Sequence, residues 1–159
     1  RGVEIDTERL KIIGSDTTER LRDAVKSLES DPRVEKFEQE NERIFRHDDG
    51  DVIYTEKNTP RRRLKQVRKL FKQLCAEHGE DAPMTDKGLI STSRDAYAGM
   101  EVLAKEPVLE KYFRAQEMST DVNKPQNISK YVQQDGRIHP VYTTLEKTGR
   151  TSSSKPSMR

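Results

Sequence analysis

Apolar positions recur at helical spacing in three separate stretches, and these set the frame for the rest of the chain. In the first, Leu10, Ile13, Thr17, Leu21, Ala24 and Leu28 fall on one face, with Asp6 or Thr7 as the cap and Glu8 in the first turn. Gly14 is a weak point in this helix, and Ser30-Asp31-Pro32 ends it, because proline lacks a donor and restricts the residue before it. A second helix, 33 to 42, has only Val34 and Phe37 as apolar anchors and is rich in acid. Between residues 43 and 55 the pattern changes: Arg43-Ile44-Phe45-Arg46 and Asp51-Val52-Ile53-Tyr54-Thr55 flank His47-Asp48-Asp49-Gly50, which predicts a short hairpin.

The second clear stripe is Leu64, Val67, Leu70, Phe71, Leu74 and Cys75, with Thr59 expected as helix cap and Pro60 at the first helical position. Gly79 closes that helix, with His78 near its negative end. After a loop from Asp81 to Ser91, a helix capped by Ser91, Thr92 or Ser93 carries Ala96, Met100, Val102 and Leu103. Pro107 opens another with Val108, Leu109, Tyr112, Phe113 and Gln116, and the two read as an antiparallel pair. Pro125 is expected to interrupt, Ile128 and Tyr131-Val132 give a last helical turn, and 137 to 144 alternates towards a strand. The fold class predicted is mainly α, an antiparallel helical assembly with a short β segment near the C-terminal end, without an internal repeat.

Composition narrows this. Only 31% of the 159 residues are hydrophobic and 36% are charged, with no tryptophan, so the core is thin, the body elongated, or the chain a piece of something larger. Both ends look cut. A net charge of +2 means that any surface for nucleic acid must come from local clustering. The single cysteine, Cys75, excludes an internal disulfide and fits a reducing compartment. No apolar run reaches membrane-spanning length, so no membrane partner is expected.

Two clusters stand out. Arg61, Arg62, Arg63, Lys65, Arg68, Lys69 and Lys72 carry seven like charges with no acid before Glu77. They repel one another unless phosphates, or the acidic stretch from 35 to 42, lie close. The second cluster is the tail: after Glu146, Lys147, Arg150, Lys155 and Arg159 are interspersed with Thr148, Thr151, Ser152, Ser153, Ser154 and Ser157, and no acid intervenes. Cations that neutralise phosphate beside hydroxyls that fix position suit a nucleic-acid backbone, although such a tail, taken alone, is more often a disordered linker. His47 among three aspartates raises a metal reading, but its spacing matches no ligand pattern and a turn accounts for it. No phosphate-cradling glycine loop, His-Glu-x-x-His, cysteine pair or Ser-His-Asp set is present, and Cys75 lies on the buried stripe, where a catalytic thiol is not expected.

The order of short motifs adds a resemblance. Gly2-Val3-Glu4-Ile5-Asp6 with Leu10, Asn58-Thr59-Pro60 with Leu64, Thr85-Asp86-Lys87-Gly88 with Ser91-Thr92, then Asp135-Gly136-Arg137-Ile138-His139 and Thr148-Gly149-Arg150-Thr151-Ser152-Ser153 with Pro156, run in the same order as in the thumb and the start of the palm of family A DNA polymerases, the bacterial DNA polymerase I type and its phage relatives. The resemblance covers the whole chain apart from a poorly matched insertion at 31–57. It implies a helical thumb over 1–134 and the truncated start of the palm over 135–159. The implied role is to grip primer-template DNA for template-directed nucleotidyl transfer, in the cytoplasm of a bacterium or phage-infected cell. The implied partners are that DNA and the rest of the polymerase, its palm and fingers.

By the same resemblance Arg150 reaches the minor groove at the primer end, where purine N3 and pyrimidine O2 occupy similar positions in every correct pair. Thr148, Ser152 and Ser153 contact phosphate or hold the Arg150 loop, and Lys155 and Arg159 join the DNA-binding set with Arg61, Arg62 and Lys65. The two Mg2+ ions of such an enzyme are held by aspartates beyond this stretch, so the chain alone carries no cofactor, no metal site and no catalytic residue. Departures from the family pattern are Thr151 in place of leucine, Pro156-Ser157-Met158-Arg159 in place of Pro-Asn-Leu-Gln, and a missing thumb lysine for which Lys124 is the nearest substitute. The reading from another class is a non-catalytic helical module whose acidic and basic faces bind a protein.

Overall fold

The computed structural model describes residues 2–139, 141–143 and 152–154, the last two segments as backbone alone. The elements run β1 (Val3–Glu4), α1 (Thr7–Glu29), α2 (Pro32–Glu40), β2 (His47–Asp48), β3 (Asp51–Val52), α3 (Leu64–Glu77), a 3-10 turn (Arg94–Tyr97), α4 (Glu101–Lys105), α5 (Pro107–Ser129), β4 (Arg137–Ile138), β5 (Val141–Thr143) and β6 (Ser152–Ser154). The chain is mainly helical, with short antiparallel strand pairs, as the periodicity predicts. It divides into two compact units, one of Arg1–Glu19 with Asp121–Arg159 and one of Arg20–Thr120, and α1 and α5 contribute to both.

In the 20–120 unit, local signals explain most of the elements. Asp31 caps α2 by accepting from the Arg33 amide at 2.9 Å, and Pro32 sits at the first helical position, where a missing N–H costs nothing. Asp49 and Gly50 adopt φ of 48° and 93°, the pair of left-handed conformations that a two-residue hairpin turn requires, and this sets the register His47↔Val52 and Asp48↔Asp51. On α3 the stripe Val67, Leu70, Phe71, Leu74 and Cys75 is buried as expected. Leu21, Val25 and Leu28 of α1, Val34 and Phe37 of α2, and Tyr112 and Phe113 of α5 are buried as well, and Phe71 stands edge-on to Tyr97, Tyr112 and Phe113.

Three sequence expectations are corrected. Helix α3 begins at Leu64, not at Pro60. Residues 59–63 are extended instead, because Pro60 bridges to Tyr54 and Arg62 to Phe45, and backbone pairing across sequence outweighs the local Thr-Pro helix signal. The helix expected over 96–103 splits at Gly99, whose φ is 79°, leaving a 3-10 turn and a single turn of α4. In place of two short helices of similar length, the five-residue α4 leads through Glu106 directly into the 23-residue α5. Pro125 does not interrupt: α5 runs on to Ser129 and tolerates one missing backbone donor.

In the other unit, Asp6 accepts from the Arg9 amide at 2.9 Å, and α1 passes through Gly14 unbroken. Ile12 and Ile13 on this half of α1 are exposed, so the predicted apolar face is buried only from Leu21 onward. β1 pairs antiparallel with β4 through Val3↔Ile138 and Glu4↔Arg137, which places opposite charges across the pair. β5 pairs with β6 through Val141↔Ser154, Tyr142↔Ser153 and Thr143↔Ser152.

Candidate nucleic-acid interface

The seven cations that the sequence groups together are sorted by the fold into tied and free side chains. Arg62 turns inward: it donates to the Tyr112 hydroxyl at 2.7 Å, and its guanidinium lies 5.6 Å from the centre of that ring. Burial raises the Tyr112 hydroxyl above its ordinary pKa, and the nearby Arg62 charge offsets part of that rise. Arg63 donates to the carbonyls of Arg43 and Phe45 at 3.0 and 3.2 Å and lies 3.9 Å from Glu42. Arg68 donates to the Ile90 carbonyl at 3.2 Å, and Lys69 to the Asn41 side chain.

Arg61, Lys65 and Lys72 remain exposed. The end of α2 meets α3 through Asn41 and Glu42, while three cations still face solvent, two of them at the join between the extended segment and α3.

That extended segment is held in an unusual way. The Arg46 amide donates to the Arg61 carbonyl at 2.8 Å, the Arg61 amide to the Ile53 carbonyl at 2.8 Å, and the Ile53 amide to the Arg46 carbonyl at 2.9 Å. These three bonds close a ring and fix three extended segments against one another. Phe45 pairs with Arg62, so Arg46 and Arg61 are the next cross-strand neighbours. Both are exposed, and among the described residues neither guanidinium has an ion-pair or hydrogen-bond partner. Sequence reasoning passed over Arg46; its signal was strand alternation, with buried Phe45 followed by an outward position.

In the unit that holds the chain ends, the structure brings together two motifs that lie far apart in sequence. Gly2 packs under the His139 ring so closely that a Cβ there would stand 2.6 Å from it, and the Ile5 amide donates to the Gly136 carbonyl at 3.1 Å. His139 Nε2 lies 2.9 Å from Asp135 Oδ2. This contact, followed by the Arg137 amide, holds the Asp135 carboxyl below the usual aspartate range. Ser152 and Ser153 lie on β6, and their side chains are not described. Thr148, Arg150, Lys155 and Arg159 fall outside the described residues.

Lys124 pairs with Asp121 at 2.7 Å. His47 serves the hairpin: Nδ1 is 3.2 Å from the Gly50 carbonyl and Nε2 is 2.6 Å from a Glu29 carboxylate oxygen. Among the described residues no group of three or more His, Cys, Asp or Glu side chains is placed to hold a metal ion. Cys75 is buried, and burial raises its thiol pKa. Among the same residues no helix is long and apolar enough to cross a membrane.

No protein-family model matches the chain. No curated protein matches it either. Among solved structures it is similar to the POL domain of Pol1 from M. smegmatis, described in complex with DNA primer-template and dNTP, with a TM-score of 0.57 and 17% sequence identity. The likeness covers 99% of this chain and 23% of that one. The chain therefore has the fold of part of a polymerase domain, and it spans less than a quarter of that protein's length.

Proposed function

We propose that the chain is the thumb, over 1–134, and the beginning of the palm, over 135–159, of a family A DNA polymerase of phage type. Its task is to grip primer-template DNA while the palm and fingers carry out nucleotidyl transfer. The observation that carries this reading is the fold likeness along 99% of the chain to a polymerase domain; the order of the short motifs in the sequence agrees with it. The β1–β4 pairing supports it, because the Gly-Val-x-x-Asp and Asp-Gly-Arg-Ile-His motifs become one local structure around Gly2 and His139. Exposed Arg61 and Lys65 are assigned to phosphate contact. Arg62 is assigned to holding the strand that presents Arg61.

Arg150 is assigned to the minor groove at the primer end, with Thr148, Ser152, Ser153, Lys155 and Arg159 around it. A donor there tests the shape of a base pair without reading its identity, because a mispair moves the acceptor and loses the contact. In such an enzyme Mg2+, held by carboxylates outside this chain, supplies the activation of the primer hydroxyl. The part of this chain is binding and positioning.

Two results are expected. The chain binds duplex DNA with an affinity that falls steeply as salt rises, measured by fluorescence anisotropy across a salt series. No binding even at low salt would favour the protein-interaction reading. In the polymerase, Arg150→Ala loses about 1–3 kcal/mol at the primer terminus, a rate loss of roughly 5- to 150-fold with poorer discrimination against mispaired ends. Unchanged single-nucleotide insertion kinetics would remove Arg150 from this role.

A further inference from the structure

The ring of hydrogen bonds joining Arg46, Arg61 and Ile53 presents two arginines as cross-strand neighbours with no acid paired to either. Like charges placed opposite one another on adjacent strands repel and destabilise the pair. Among the described residues neither guanidinium has an ion-pair or hydrogen-bond partner, yet the backbone is fixed at three points and the neighbouring strand residue, Arg62, is hydrogen-bonded to Tyr112. A rigid backbone carrying two unpaired guanidinium forks is preorganised for anions, and arginine is suited to phosphate because its planar donors match two oxygens at once. At the other end of the same hairpin, Asp48 stands opposite Asp51 with Asp49 at the turn. A phosphate chain approaching the hairpin is drawn to the arginine end and repelled from the turn, which leaves one preferred orientation.

We propose that Arg46 and Arg61 form a clamp on the phosphodiester backbone of primer-template DNA. This gives the segment between α2 and α3 a binding role of its own, separate from the minor-groove contacts. The clamp rests on the DNA-gripping reading above and adds a second point of contact to it. Each strand of duplex DNA offers one negative charge per roughly 3.4 Å of its axis, so two adjacent cations can meet successive phosphates, and each neutralised phosphate releases counterions. The contact carries no sequence preference.

The test compares the chain with the double variant Arg46→Gln/Arg61→Gln and with a control, Lys36→Gln/Lys87→Gln, which removes the same charge from two other exposed positions of the same unit. Binding of a primer-template duplex is followed by anisotropy from low to moderate salt, and urea midpoints confirm that the surface changes leave folding intact. The expected result is a slope of log affinity against log salt that becomes shallower by about 1.8 in the arginine variant, from two lost phosphate contacts at about 0.9 each, with little change in the control. Replacing Asp48 and Asp51 by asparagine is expected to tighten binding at low salt.

An equal loss in the lysine control, or an unchanged slope in the arginine variant, overturns the clamp while leaving DNA gripping in place. Failure of the unaltered chain to bind the duplex at low salt overturns both.

Discussion

Phe71→Ala is expected to lower the stability of the 20–120 unit by about 3–5 kcal/mol, the range for emptying a well-packed aromatic site. Phe71 is 1% exposed, and its ring centre lies 5.5, 5.0 and 5.8 Å from those of Tyr97, Tyr112 and Phe113, each in an edge-on arrangement. Such pairs contribute beyond the area they bury, and their loss leaves a cavity that two tyrosines are poorly free to fill. Tyr97 is tied by its hydroxyl to the Ser91 carbonyl at 2.8 Å, and Tyr112 accepts from Arg62. Urea denaturation measures the loss, and Phe71→Leu, which conserves most of the volume, should recover the larger part of it. A cost below about 1 kcal/mol for the alanine variant would mean that the site collapses freely and that the cluster is not the centre of this core.

The effect should also reach the surface proposed to face DNA. Tyr112 holds Arg62, and Arg62 holds the strand that presents Arg61. Loosening Tyr112 should therefore weaken duplex binding even though no exposed cation has been removed.

The elements that the sequence made legible are those whose signals lie within a few residues. Asp31-Pro32 marks the start of α2, Asp49-Gly50 the hairpin, and the stripe from Val67 to Cys75 the buried face of α3, because each depends on local dihedral preference or on period alone. The misread elements depend on distant partners. Thr59-Pro60 has the chemistry of a helix start, yet Tyr54 and Phe45 draw Pro60 and Arg62 into strand pairing, and Asn58 turns the chain at φ 53°. Gly99, which the periodicity passes over, takes a left-handed conformation and breaks its helix, while Pro125, expected to interrupt, sits inside one.

The same distinction holds for the candidate interface. Clustered cations were visible in the sequence, but which of them remain free was not. Tyr112 lies 50 residues from Arg62, and Ile90 lies 22 from Arg68. The pairing of Gly2 with His139 joins two motifs near opposite ends of the chain, which no local pattern could have positioned.

Glu106 is the second position where one side chain should matter most. It is 6% exposed, between α4 and Pro107, and its carboxylate takes Arg33 through two bonds, at 2.6 and 3.2 Å, and His78 at 2.8 Å. Arg33 also meets Glu77 at 2.6 Å, and beside it Asp31, 5% exposed, is paired with Lys111 at 2.9 Å. The network thus joins α2, α3 and α5 by polar contacts. Glu106→Ala removes the shared acceptor and leaves Arg33 and His78 against a buried site, at an expected cost of about 2–3 kcal/mol. The figure falls short of a fully buried pair because Arg33 is about one-third exposed and keeps Glu77.

Burial alone would raise the Glu106 carboxyl, but the Arg33 hydrogen bonds, then that of His78, outweigh it and hold the group below its ordinary value. A carboxyl whose folded pKa is depressed contributes stability that is fully present above the unfolded value, near 4.3, and is lost as pH falls through the folded one. Denaturation of the unaltered protein and of Glu106→Gln, a variant of nearly the same shape, should therefore differ most at neutral pH, with the gap narrowing as pH falls below about 4.3 and through the depressed folded value. A gap that persists undiminished at pH 3 would show that packing, and not the ionised carboxylate, is what this residue supplies.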